Sequence, residues 1–140
     1  MVHSNAPASY EGPANWRGPN IRDSEDWHIN LTESHISEIK KAVQRSIDNR
    51  IPILELIPEC FHLPRLAQAL QTTYQELLYG RGFVVFHGMP VQDLNREEII
   101  RAYVGIGSWL GEPVPQNQKG HILGHVKDIG FDHTNPQTRI

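Results

Sequence analysis

Apolar residues recur at helical spacing in three stretches of the chain. Ile36, Ile39, Val43 and Ile47 form one stripe, with Lys40, Lys41 and Arg45 largely off it. Thr32 supplies an N-cap oxygen and Glu33 places negative charge in the first turn, so the pattern predicts a helix over about 33–48. Leu66, Leu70, Tyr74, Leu77 and Leu78 form the second stripe. Pro64 suits a first turn, and Gly80 as a left-handed C′ residue predicts the end of a helix near 65–79. Ile99, Ile100, Tyr103, Val104, Ile106 and Leu110 make the third face, opened by Asn95 and Glu98 at capping-box spacing and closed by Gly111. Gly107 inside this helix, expected near 96–110, costs about 1 kcal/mol relative to Ala, which a close packing contact would explain.

Between the second and third helices the run Phe83-Val84-Val85-Phe86 is fenced by Gly82 on one side and Gly88 and Pro90 on the other. A short uninterrupted apolar run between breakers predicts a strand over 83–87, buried on both faces and flanked by the two helices. Trp27, Ile29 and Leu31 alternate with His28 and Asn30, which predicts a half-exposed strand with His28 toward solvent. His121 to Val126 reads as a further short strand, followed by loop chemistry from Asp128 to Pro136. Ile53 to Ile57, between Pro52 and Pro58, is either a brief strand or an apolar connector. Residues 1–20 carry prolines and glycines without a period and read as an extended, disordered arm. Trp16 in that arm is expected to dock, on the chain's own surface or on a partner or missing segment. Helices alternating with short strands make the fold class α/β (α+β).

Composition narrows the function classes. A chain of 140 residues with 39% hydrophobic residues and a net charge of -3 suits one globular domain and leaves no nucleic-acid footprint. No apolar run reaches the roughly 18 residues of a membrane span, and the N-terminus lacks a secretory pattern. Cys60 is the single cysteine, so an internal disulfide is excluded and a reducing, cytoplasmic setting is expected. Beside Phe61 it reads as a small buried hydrophobe, with a reactive thiol as the alternative.

The candidate chemistry is thin. Gly105 and Gly107 fall inside a helix, so they fail the strand-to-helix context of a dinucleotide loop. There are eight histidines. His121 and His125 on a strand would lie about 13 Å apart, too far to share an ion. His133 lacks a carboxylate two residues on. His87, ending a strand, reads as a satisfied core or edge histidine. Ser108 and Cys60 have no nucleophile-elbow setting. No catalytic residue and no metal ligand is assigned.

The ordered series Gly80-Arg-Gly-Phe-Val-Val-Phe-His-Gly-Met-Pro90, Gly107-Ser-Trp-Leu-Gly111 and Glu112-Pro-Val-Pro-Gln-Asn117 resembles the opening part of the taurine dioxygenase-like (TauD/TfdA) family. The similarity is clearest from Leu63 to Val126. The resemblance implies a double-stranded β-helix (clavaminate synthase-like) core, of which this chain would hold the N-terminal helices and first strands. It divides the chain into the arm 1–20, an N-terminal extension 21–62 and the start of a truncated oxygenase domain 63–140. The family uses iron(II) and 2-oxoglutarate, held by a His-x-Asp/Glu…His triad and an arginine that follow the matched region. Neither cofactor is therefore expected to bind this chain alone. Gln116 and Asn117 are the candidate substrate-lining residues, the loop in relatives helping to line a small-molecule pocket; a solvated loop is the alternative. Such a piece would leave apolar faces open and self-associate. A small non-catalytic α/β interaction module, closing its own core, is the competing reading.

Overall fold

The computed structural model describes residues 11–124 and 130. The first ten residues, His125 and Val126 of the expected last strand, and the stretch around His133 lie outside the described residues. In chain order the elements are α1 (Gly18–Ile21), β1 (His28–Asn30), α2 (Glu33–Asp48), a 3-10 turn (Ile53–Glu55), α3 (Ala67–Tyr79), β2 (Val85–His87) and α4 (Arg96–Gly107).

The two long helices with polar starts are capped as their sequences dictate. Thr32 Oγ1 accepts from the backbone N–H of His35 at 3.3 Å. Asn95 Oδ1 accepts from Glu98 N–H at 3.1 Å, and the Glu98 carboxylate accepts from Asn95 N–H at 2.7 Å. Helix α3 has no local side-chain cap. A carboxylate from α2 takes that role: Glu38 accepts from Arg65 N–H at 3.0 Å and from Leu66 N–H at 3.0 Å. This bond fixes the start of α3 against α2 and places negative charge beside the orphan donors of the first turn. Glu38→Ala should therefore cost about 0.5–2 kcal/mol, the usual range for a lost cap, and Glu38→Gln less. Urea titration at constant m checks this; an unchanged midpoint in the alanine variant would remove Glu38 from the account.

The core comprises Ile39, Ala42, Val43, Leu56, Phe61, Leu63, Leu66, Leu70 and Ala102. Three of these come from the proline-punctuated connector before α3, and Phe61 and Leu63 are fully buried. Prolines at 52, 58 and 64 erase any period there, so the stretch shows no pattern although it supplies the centre. Polar anchors hold the irregular backbone. Trp109 Nε1 donates to the Phe61 carbonyl at 3.0 Å, and Arg101 Nη1 donates to the Ile51 carbonyl at 2.7 Å. Arg101 is itself buried and pairs with Glu97 at 2.9 Å, one turn earlier on α4.

The sheet corrects the central expectation. Strand β2 pairs only with β1 among the described residues, in parallel, with His28 opposite Val85, Ile29 opposite Phe86 and Asn30 opposite His87. Val85 is 37% exposed and His87 is exposed, so the strand is not buried on both faces. A two-stranded sheet finds apolar neighbours on one face only, and Phe86 turns to that side. Phe83 lies before the strand and serves the arm instead. Trp16 meets its ring edge-on at 5.0 Å and donates Nε1–H to the Arg81 carbonyl at 2.9 Å, so this tryptophan docks on the chain's own surface. Residues 18–21 form a helical turn where an extended arm was expected.

Four smaller expectations also change. His121 to Gly124 adopts no strand. Gly80 has φ -102 and is not left-handed; Gly82, with φ +86, makes the turn. Gly107 has no packing partner within 4 Å of an added Cβ, whereas Gly105 would place a Cβ 2.6 Å from three atoms of the Phe61 ring. The close approach is thus two residues earlier than the pattern suggested. Along α3, Leu70 and Thr73 are buried but Tyr74, Leu77 and Leu78 are exposed, so the distal half of the stripe runs beyond the core.

Candidate functional site

Glu112 to Gly120 is exposed throughout, and its shape is set by Asn117. Asn117 Oδ1 accepts from the backbone N–H groups of Lys119 at 3.0 Å and His121 at 3.1 Å. Its Nδ2 lies 3.0 Å from His121 Nδ1. The Asn117 side chain is therefore occupied in closing its own turn, as short amides commonly do. Gln116 donates its amide N–H to the Val114 carbonyl at 2.9 Å, and its backbone N–H donates to the His121 carbonyl at 2.7 Å. The two residues share one loop, and neither is among the residues that line the groove on α3.

That groove, about 540 Å³ in volume and open to solvent, lies between α3 and Trp109, just past the end of α4. Pro64, Ala67, Gln68, Gln71, Tyr74 and Trp109 line it. Trp109 is held by its bond to Phe61, so one wall is rigid. Two amides on α3, at Gln68 and Gln71, offer donors and acceptors in a groove that Tyr74 and Trp109 also line.

Cys60 is half-buried rather than fully buried. Its sulfur accepts from Ile57 N–H and approaches the Ile57 carbonyl, both at 3.3 Å, which makes it part of the connector turn. Arg81 gathers the charges beside β2, bonding Glu76 at 2.8 Å and Asp26 at 3.1 Å. The Ser24 hydroxyl, the Asp26 backbone and then Arg81 hold the Asp26 carboxyl below its ordinary value.

The outer face of the sheet holds a pair that the sequence did not reveal. His28 Nδ1 and His87 Nε2 face each other at 2.6 Å. Alternation places His28 on the polar side of β1, but only the register between two strands distant in sequence shows which residue meets it. His28 is half-buried against Trp27 and His87, not solvent-facing as expected. Among the described residues no three His, Cys, Asp or Glu side chains converge. A three-ligand iron centre therefore does not fit the described residues, and no reaction step is assigned through one. No helix among them is long and apolar enough to cross a membrane.

No family model matches the chain. Among curated proteins it is 28% identical over 118 residues to the taurine hydroxylase-like protein SAT17 of Stachybotrys chartarum, covering 84% of this chain and 31% of that protein. It is 24% identical over 127 residues to FR-33289 synthase of Streptomyces rubellomurinus, covering 91% of this chain and 38% of the synthase. The chain thus spans about a third of the length of the curated relatives it matches. The chain is thus similar, over most of its own length, to a taurine hydroxylase-like protein and to FR-33289 synthase, the similarity that the taurine dioxygenase-like resemblance expects.

Proposed function

We propose that this chain is the N-terminal part of an iron(II)- and 2-oxoglutarate-dependent oxygenase that acts on a small organic substrate in the cytoplasm. The observation that carries this reading is the coverage: similarity over 84% and 91% of the chain corresponds to 31% and 38% of the two relatives. In this reading β1 and β2 are first strands of a double-stranded β-helix. The three long helices are its flanking scaffold, and the loop holding Gln116 and Asn117 forms part of the substrate pocket wall. Asn117 is tied into its own turn by three contacts and shapes that loop, whereas Gln116 makes one side-chain bond, to the Val114 carbonyl, and is the better candidate for a direct contact. Iron and 2-oxoglutarate would be held by residues outside the described part. Exposed Tyr74, Leu77, Leu78 and Val85 fit a scaffold that packs against more protein, or that self-associates when isolated.

The alternative of a non-catalytic interaction module draws on the nine-residue core and on the absence of buried unpartnered side-chain polar atoms among the described residues. Reading the coding sequence beyond Ile140 separates the two. The oxygenase reading expects an in-frame His-x-Asp or His-x-Glu within a few tens of codons, with a distal histidine and arginine. A stop codon directly after Ile140 in the intact transcript would overturn it.

A further inference from the structure

The outer face of the β1–β2 sheet presents two imidazoles whose ring nitrogens face each other across a hydrogen bond. The parallel register sets His28 opposite Val85 and His87 opposite Asn30, so the two histidines are diagonal neighbours on one face. Diagonal neighbours lie within reach of long side chains. Here the rings lean together, with centroids 4.8 Å apart and planes 37° apart. Trp27 lies against His28 with centroids 3.5 Å and planes 34° apart, so its ring borders the pair. Nitrogens facing at 2.6 Å have room for one proton between them, so in this pair one nitrogen accepts with its lone pair directed into the gap.

We propose that His28 and His87 form a two-histidine site for a borderline divalent cation, Cu²⁺ most tightly, followed by Ni²⁺ or Zn²⁺. Imidazole is the ligand these ions favour, and affinity for nitrogen donors peaks at Cu²⁺. Metal–nitrogen bonds of about 2.0–2.1 Å place two ligand nitrogens about 2.9–3.4 Å apart. With nitrogens 2.6 Å and centroids 4.8 Å apart the lone pairs meet almost head-on, so admitting the ion requires the nitrogens to part by a few tenths of an ångström and the rings to tilt until both lone pairs converge on it. The ring that donates in the metal-free pair moves its proton to its far nitrogen through water, and both facing lone pairs then bind the ion. Water completes the coordination, since no third His, Cys, Asp or Glu ligand converges among the described residues. The site is independent of the oxygenase reading, because it uses neither iron nor 2-oxoglutarate.

Trp27 makes the site observable. Cu²⁺ or Ni²⁺ bound beside its ring quenches its fluorescence, and Trp27 sits directly on His28. Titration of the full chain with CuCl₂ should give a saturable quench at one equivalent. His28→Gln and His87→Gln should each weaken it at least tenfold, while His62→Gln and His121→Gln leave it unchanged. An identical quench midpoint in the His28 and His87 variants, or no saturable phase, would overturn the proposal. Zn²⁺ titration of the unaltered chain followed by imidazole proton NMR guards against misfolded variants. Shifts confined to two histidine rings are expected; shifts spread evenly over all eight histidines would equally overturn it.

Discussion

Phe61→Ala is expected to lower stability by about 3–5 kcal/mol, the range for deleting a fully buried aromatic side chain. The ring has 0% exposure and sits among residues from the connector, α2, α3 and α4. Its loss removes the transfer free energy of the side chain and leaves a cavity that rigid neighbours only partly fill. The backbone role of residue 61 survives the substitution, because Trp109 donates to its carbonyl and not to its ring. The measured loss therefore reports packing alone. Domains of this kind have total stabilities of about 5–15 kcal/mol, so the variant should be marginal or unfolded at room temperature. Tyr103, 68% exposed on α4, is the matched control: Tyr103→Ala should change stability by less than about 0.5–1 kcal/mol. Equilibrium urea unfolding followed by circular dichroism measures both. A loss below about 1.5 kcal/mol for Phe61→Ala would show that the connector does not anchor the core.

That the connector anchors the core was the least legible part of the fold, and the reason is physical. A period is a signature of repeated backbone geometry, and the chain from Ile51 to Pro64 has none. Leu56, Phe61 and Leu63 point inward because prolines and side-chain-to-backbone bonds bend the chain, not because a helix turns them there. Helix α2 was legible from Thr32 to Asp48, since its stripe, cap and first-turn charge all agree. Helix α4 was legible at its capping box for the same reason.

The strands were legible as strands but not in their burial. A run such as Phe83 to Phe86 records that its side chains meet apolar partners. It does not record whether those are another strand, a helix or, for Phe83, two tryptophans. The candidate loop shows a further limit. Gln116 and Asn117 share a composition suited to binding, yet Asn117 spends its side chain on Lys119 and His121. The His28–His87 pair depends on register across 59 residues, which no local pattern encodes.

Gly105 and Gly107 should respond in opposite directions to the same substitution. In a helix interior, alanine is favoured over glycine by about 1 kcal/mol, because glycine has more backbone freedom to lose. Gly107 has nothing within 4 Å of the added methyl and a non-positive φ, so Gly107→Ala should stabilise by up to that amount, less any fraying at the helix end. Gly105→Ala gains the same propensity but drives a methyl to 2.6 Å from the Phe61 ring, which is fully buried and has no open space to move into. Overpacking of a tight core costs about 1–3 kcal/mol, and contacts this short belong at the upper end, so the net effect is destabilising. The conflict can be relieved from the other side. Phe61→Leu shortens the partner, and in that background Gly105→Ala should cost much less or nothing. Residues in direct contact give interaction energies of about 0.5–3 kcal/mol in such a double-mutant cycle. Chemical unfolding of the parent, both single variants and the pair measures that coupling. Additive losses would mean that α4 shifts away from the connector at no cost, and that the glycine is not what lets these two segments approach.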